Sequence, residues 1–585
     1  MRFTALAAGA IFMAATAHAQ MPRVSGEAAR TPATAPQPQL RLYAQPKSVA
    51  VLPAVTAGEL AAVRNANQRG AAKGQARRVV IGVVRTGAGS RAFPDAGRLA
   101  WAPVPGGHAA QVAVTSPEAG SLRLAIDLKG VPEAVEMVFF GSATPSRLEG
   151  PVKVGEVRDR TAPWWSPLTE GATQTVEFFV PARHDPAAAG PRVVRASHIL
   201  TTPSSRFTKH TADIGTAGSC NVDVPCSPLY SDAAFRSVVD SVAQMVFTVG
   251  QFSVLCTGSL LADGDASTQT PWLYSANHCF DADSAPYRTP TQIQEIADSL
   301  STLWGFQATA CGSNLPVTGW SQLYGGARHV YNNPQTDVLL VRLNNAPPAG
   351  SFFSGWDANP MAFGSPVAGI HHPQGDLKMV SRGSVTGFTT PGVANGAESF
   401  IGVQWSSGTT EPGSSGGGLW TANGGQYYFR GGLWGGAALC TNPSGIDSYS
   451  RFDRAYPQIA AYLDAPIAPA ADYTDLWWNP NESGWGLNLI QHPSKVVFGV
   501  WYTYEFDGTP TWYVIPQGSW TSSASYTGPL FATLGPSFNK TFNASQVQPR
   551  QVGTATLNFT SPSTGTFTYS VDGVAGTKSI QRQPF

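Results

Sequence analysis

Gly413-Ser414-Ser415-Gly416-Gly417 is the stretch on which the reading of this chain turns. Glycine on both sides of Ser415 lets the backbone bend sharply, so the amides of Gly413 and Ser415 can point into one pocket. A serine hydroxyl is a poor nucleophile until a base removes its proton and donors stabilise the developing oxyanion. Alone, the string also fits a plain glycine-serine loop, and it fits the Gly-x-Ser-x-Gly elbow of α/β-hydrolases. Chain order separates the elbow from the rest. That fold takes its acid and then its histidine after the serine, whereas the only histidine beyond Ser415 is His492, across a Pro/Ala linker. No long helical pattern follows the serine, as an elbow would require.

Upstream, the order His, Asp, Ser of the chymotrypsin arrangement is present. Trp272-Leu273-Tyr274-Ser275-Ala276-Asn277-His278-Cys279 sets a histidine directly after a β-like run and before a cysteine. A bridge from Cys279 to Cys256 would close the loop presenting His278, a stabilisation of roughly 3 kcal/mol. Thr336-Asp337-Val338-Leu339-Leu340-Val341-Arg342-Leu343 sets a carboxylate at the mouth of an apolar strand. A buried aspartate there can fix the imidazole tautomer and stabilise the imidazolium. Separately, His278 reads as a core histidine and Asp337 as a strand-cap acid. Jointly with Ser415 they read as a catalytic triad.

Composition agrees with a loop-rich, mostly β protein: of 585 residues, 61 are Gly and 46 Pro, and long helical periodicities are hard to find. A net charge of +1 with 13% charged residues leaves no footprint for nucleic acid or an anionic membrane surface. Arg2, the apolar run Ala5 to Thr16 and Ala17-His18-Ala19 form a signal peptide over residues 1–19, predicting export and secretion. That run is too short to span a bilayer, and no later stretch is long enough. Six cysteines suit an oxidising compartment, although six allow fifteen pairings. Without a Cys-x-x-Cys pair a zinc site is not expected, and the chemistry requires no metal or organic cofactor.

The chain divides by composition. Residues 20 to about 75, rich in Ala, Pro, Gln and Arg, read as a flexible lead-in. Short alternating runs from Val79 to about Pro181 read as a cysteine-free β unit. The polar run from Thr201 to Thr216, which holds Arg206 and Lys209, reads as an exposed connection. All six cysteines fall in a unit spanning residues 215–464, closed by a short helix over Tyr456 to Leu463. Residues 465–472 are a Pro/Ala linker. Residues 473–585 hold Trp477, Trp478, Trp485, Trp501, Trp512 and Trp520 on alternating strands, predicting a small all-β sandwich or barrel.

Residues 215–464 resemble the bacterial lysyl endopeptidases, a branch of the chymotrypsin-like serine proteases. The strings that carry the resemblance are Gly218-Ser219-Cys220-Asn221-Val222-Asp223, Cys256-Thr257-Gly258-Ser259-Leu260, Ser275 to Cys279, Thr336 to Leu343, His371-His372-Pro373 and Thr410 to Gly416. The resemblance implies a double β-barrel and three bridges: Cys220 to Cys440, Cys226 to Cys311 and Cys256 to Cys279. It also implies a mature enzyme starting near Gly215 after loss of a propeptide over residues 20–214. The β segment around Trp164-Trp165 resembles that propeptide, so the chain's own propeptide is an expected partner, beside protein or peptide substrates.

Substrate choice rests on Asp447, in Gly445-Ile446-Asp447-Ser448-Tyr449. In the lysyl endopeptidases an aspartate at the matching position lies at the base of the primary pocket and pairs with the substrate lysine. The bland alternative is a turn aspartate beside Gly445. Two departures bear on lysine selectivity. Gly432-Leu433-Trp434-Gly435-Gly436 carries Trp434 where the family has a histidine, and Phe388-Thr389-Thr390-Pro391-Gly392 lacks that histidine's tryptophan partner. Trp434 and Gly435 are therefore expected to line the pocket, and arginine stays open as a second substrate residue. Glu482-Ser483-Gly484-Trp485-Gly486 and neighbouring strings resemble a β domain recurrent in secreted bacterial proteins. Its tryptophans could stack on glycans or dock on a surface, or simply fill a core. Two rival functions stand beside the endopeptidase: a secreted esterase using the same serine, and a non-catalytic binding protein acting through residues 473–585.

Overall fold

The computed structural model describes residues 21–30, 37–43, 46–69, 78–86, 93, 99–157, 162–186, 190–203, 215–264, 268–281, 286–313, 315–389, 399–464, 469–492, 495–516 and 518–584. The expected signal peptide over residues 1–19, Arg206 and Lys209, residues 390–392 and most of the Pro/Ala linker lie outside them. The chain forms two compact units, residues 1–463 and 464–585. It is mainly β, with a chymotrypsin-like double barrel at the centre.

The first barrel is built from Val242–Val249, Phe252–Leu261, Trp272–Ala276, Ser301–Trp304, Ser321–Leu323, Ala327–Asn333 and Val338–Leu343. Phe247, Leu260, Leu273, Phe280, Leu339 and Val341 fill it. Residues alternate along each strand, so a curled sheet turns one full set of apolar side chains inward. In the second barrel, Pro366–His371, Met379–Thr389, Phe400–Ser407, Gly418–Asn423, Gln426–Gly436 and Ile446–Ser450 close on themselves through pairing of the last two. The helix Phe452–Leu463 starts earlier than its sequence suggests, because Phe452 packs edge-on against Phe429 and tilts against Trp356. Among the described residues no helix is long and apolar enough to cross a membrane.

The N-terminal β unit has two sheets around Val112, Val114, Leu124, Ile126, Met137, Phe139, Val176 and Phe178. One of them does not stop at the unit's edge. Strand Val79–Thr86 pairs with Arg192–Ile199 on one side and with Phe252–Leu261 of the first barrel on the other. A twelve-stranded sheet therefore runs through both. Val79, Ile81 and Ile199 share an apolar cluster with Val246, Leu255 and Leu303 across this join.

The lead-in differs from its aperiodic reading. Arg23–Val24 pairs with Trp356–Asp357, Glu27–Ala28 pairs with Phe352–Phe353, and Ala57–Arg69 is a helix. Two-residue strands carry no period that a sequence can display. They are held instead by exposed edges of the protease unit and by Arg23, whose guanidinium lies 2.6 Å from buried Asp357. The helix is fastened by Val63, fully buried, and by Asn67, whose side chain exchanges hydrogen bonds of 2.8 and 2.9 Å with the Val80 backbone.

Residues 473–585 form one nine-stranded sheet that closes into a barrel through the Val514–Phe531 pairing. Trp477, Trp501 and Trp520 lie in its core, while Trp512 is half exposed. Three of the six tryptophans are thus accounted for by core packing.

Candidate active site

Strand register brings two of the predicted residues together. Ala276 pairs with Val338 in the antiparallel ladder of Trp272–Ala276 and Val338–Leu343. The residue leaving one strand therefore lies beside the residue entering the other. His278 follows in the helical turn Asn277–Phe280, and Asp337 precedes its strand with φ of +54°. Such left-handed backbone is uncommon outside glycine, and aspartate tolerates it better than most. The Asp337 carboxylate accepts the His278 backbone N–H at 2.8 Å and meets Nδ1 at 2.8 Å. Asn277 N–H donates to the Asp337 carbonyl at 3.1 Å. A carboxylate only accepts, so Nδ1 carries the ring hydrogen and Nε2 the lone pair. Nε2 is buried and takes no hydrogen bond among the described residues.

Ser415 comes from the second barrel, and strand Phe252–Leu261 ties it to the histidine turn. Cys256 is bridged to Cys279, next to His278, while the following residue, Thr257, donates its N–H to the Ser415 carbonyl at 2.8 Å. The Thr257 hydroxyl also holds the Gly413 carbonyl at 3.0 Å. Gly416, at φ of +79°, leaves no room for a side chain, because a β-carbon there would strike Ser275 Oγ and the Thr257 carbonyl. In a trans peptide N–H and C=O point oppositely. Gln374 N–H takes the Pro412 carbonyl and Gly417 N–H takes the Ser414 carbonyl, which turns the amides of Gly413 and Ser415 away from those contacts.

Behind the serine loop lies a buried relay that sequence reasoning missed. Glu411 N–H donates to Ser414 Oγ at 3.1 Å, and Ser414 Oγ meets His371 Nδ1 at 2.8 Å. His371 Nε2 meets Ser381 Oγ at 3.0 Å, and Ser381 donates to the Thr409 carbonyl at 2.7 Å. With Ser381 donating onward, Nε2 must be the protonated nitrogen and Nδ1 the acceptor. Complete burial pushes the imidazole down to about 3, so it stays neutral. The matched string His371-His372-Pro373 held this residue without revealing its role.

A cleft beside Ser415 is lined by Thr410, Pro412, Leu433, Gly435, Gly436 and Ala438. Asp447 lies fully buried behind its wall. Trp405 Nε1 and Thr410 Oγ1 each donate to Oδ2 at 2.7 Å, and Ala438 N–H approaches Oδ1 at 3.3 Å. Loss of water pushes the carboxyl up to about 6, against the pull of those three donors. Trp405 carried no signal in the sequence, and the string Thr410 to Gly416 held Thr410 without revealing its contact with Asp447. Trp434 lies half-buried between Leu433 and Gly435, which line the cleft. It sits at a bulge there and packs on Phe400, ring centroids 6.0 Å apart.

Disulfides join Cys220 to Cys440, Cys226 to Cys311 and Cys256 to Cys279. Near the first of them, Glu411 accepts from Gly218 N–H and Asn221 Nδ2, each at 2.9 Å, and burial raises its pKa. Arg78 of the N-terminal unit reaches the histidine turn, donating to the carbonyls of His278, Cys279 and Asp281 at 3.1, 3.2 and 3.2 Å.

Known proteins resemble this chain in sequence. The "Lysyl endopeptidase, C-terminal domain" family matches residues 214–450, and the "Lysyl endopeptidase N-terminal domain" family matches residues 51–200. A lysyl endopeptidase of Pseudomonas aeruginosa is 35% identical over 382 residues, covering 63% of this chain and 78% of the relative. The chain belongs to the lysyl endopeptidase family. It is accordingly a serine endopeptidase, a hydrolase that acts on peptide substrates. Membership spans both the N-terminal β unit and the double barrel, the two parts joined by strand Val79–Thr86.

Proposed function

We propose that the protein is a secreted endopeptidase that cuts after basic residues, lysine first and arginine second, through Ser415, His278 and Asp337. The observation that carries the mechanism is the double grip of Asp337 on His278, which leaves Nε2 as the basic nitrogen. Ser415 attacks the peptide carbonyl as His278 takes its proton. The amides of Gly413 and Ser415 stabilise the oxyanion. His278 then protonates the leaving amine, and water releases the acyl group by the reverse route.

Lysine preference is supported by Asp447, a buried carboxylate behind the cleft beside Ser415, and by the name of the Pseudomonas relative. Secretion is supported by the leader over residues 1–19 and by three disulfides. Residues 20–214 act as a propeptide, 215–464 as the protease and 473–585 as an appended β domain. Arg78 on the histidine turn supports an influence of the first on the second.

A fluorophosphonate probe on the secreted protein, combined with hydrolysis of peptide amides, tests this reading. Labelling of Ser415 with amide cleavage after lysine supports it, and Ser415→Ala should abolish both. An esterase would take the label yet leave amides intact. A binding protein would do neither.

A further inference from the structure

We propose that the open end of the C-terminal barrel is a binding site for a neutral sugar, one hexopyranose ring of a polysaccharide. The mouth of a small barrel is a common place for a ligand. Here it holds a cavity of about 160 Å³, far above the roughly 10–15 Å³ that one water requires. Trp501, Tyr513 and Tyr569 form its inner wall, and Tyr504 and Phe506 stand at its rim. Core packing accounts for Trp501, which meets Tyr569 with centroids 4.5 Å apart. It does not account for the rim, where Tyr504 is 53% and Phe506 83% exposed. Apolar rings held in water above an aromatic cavity suit the C–H faces of a pyranose.

The polar groups of the cavity narrow the choice of guest. Glu505 accepts from the Tyr513 hydroxyl at 3.1 Å, placing an acceptor in the wall. Lys578 also borders the cavity, with its charge matched by Glu482 and its Nζ 4.9 Å from the centre of the Trp485 ring. Lys578, paired with Glu482 and lying over Trp485, breaks the all-aromatic cage that a cationic guest would favour. Glu505 opposes an anionic one. Asp572, next to the lining residue Val571, pairs with Arg550 at 2.7 and 2.9 Å, and the two charges cancel. What remains suited is an uncharged molecule with an apolar face and hydroxyls that both donate and accept. This reading concerns the C-terminal unit alone and does not rest on the protease mechanism.

The test uses the full chain titrated with maltohexaose, cellohexaose and chitohexaose, read by tryptophan fluorescence and calorimetry, with tetramethylammonium chloride as the cationic control. At least one of the three sugars should bind saturably, in the micromolar to millimolar range. Tyr504→Ala with Phe506→Ala should weaken that binding at least tenfold. Both side chains are exposed, so peptide hydrolysis and thermal unfolding should stay as in the parent chain. Failure of all three sugars to saturate overturns the proposal. So does unchanged affinity in the double variant, or tetramethylammonium binding more tightly than any sugar.

Discussion

Asp337 holds His278 by ring and backbone at once, Oδ2 on Nδ1 and Oδ1 on the main-chain N–H, both at 2.8 Å. The side chain thus fixes the tautomer and the position of the turn together. Asp337→Asn keeps the shape but must set its NH₂ against one of two donors. We expect kcat/KM for amide substrates to fall on the order of 10⁴-fold. Steady-state hydrolysis by protein of unchanged circular dichroism checks this, and a loss below tenfold would remove Asp337 from the mechanism.

Asp447→Ser tests substrate choice. Leaving a substrate ammonium without its buried partner costs about 2–5 kcal/mol, so kcat/KM for lysine and arginine substrates should fall roughly 30- to 3,000-fold. A good apolar substrate should be spared, since Ser415 and His278 are untouched. Equal preference before and after the change would make Asp447 a structural residue.

The same carboxyl predicts a pH dependence. Burial pushes it up to about 6. Below that value a lysine must displace a proton, so the lysine-to-apolar ratio of kcat/KM should drop about tenfold per pH unit. In Asp447→Ser the ratio should be flat. Stability moves in the same window with a definite sign. The folded pKa is raised above the unfolded one, so the neutral acid favours folding below about 4, and that advantage is lost as pH rises through about 6. Asp447→Asn should therefore gain on the parent between these limits, by on the order of 3 kcal/mol. Denaturant melts at pH 4 and 8 measure it.

His371 touches Ser414, the neighbour of Ser415, so under the proposed mechanism it is a positioning residue. His371→Ala should lower kcat by on the order of 10- to 100-fold with little change in KM, and His371→Gln should recover part of it. Because burial keeps the ring neutral, the shape of the kcat profile above pH 5 should not change. A changed profile there would mean that His371 exchanges protons during turnover.

Much of this site was legible because its parts are local. His278 and Asp337 each follow or precede an apolar strand, and their order with Ser415 restricts the fold to one arrangement. What escaped notice was long-range or lacked a pattern. Trp405 and Thr410 meet Asp447 from positions 42 and 37 residues away, and an indole N–H in an apolar strand looks like core. The packing of Trp434 on Phe400 was also hidden, because it sits at a bulge between Leu433 and Gly435 and bulges leave no mark on alternation. The strands at 23–24 and 27–28 have no period of their own.

Strand Val79–Thr86 joins two parts of one sheet, and Arg78 just before it touches the histidine turn. A cut in the chain between these parts would change connectivity before it changed structure. The severed strand would stay annealed, as the second component of a complex held by main-chain bonds. If the annealed strand, through Arg78, restrains the histidine turn as the proposed propeptide role requires, onset of activity would follow the lifetime of that complex rather than the rate of scission. Digestion of the released piece would make the step irreversible.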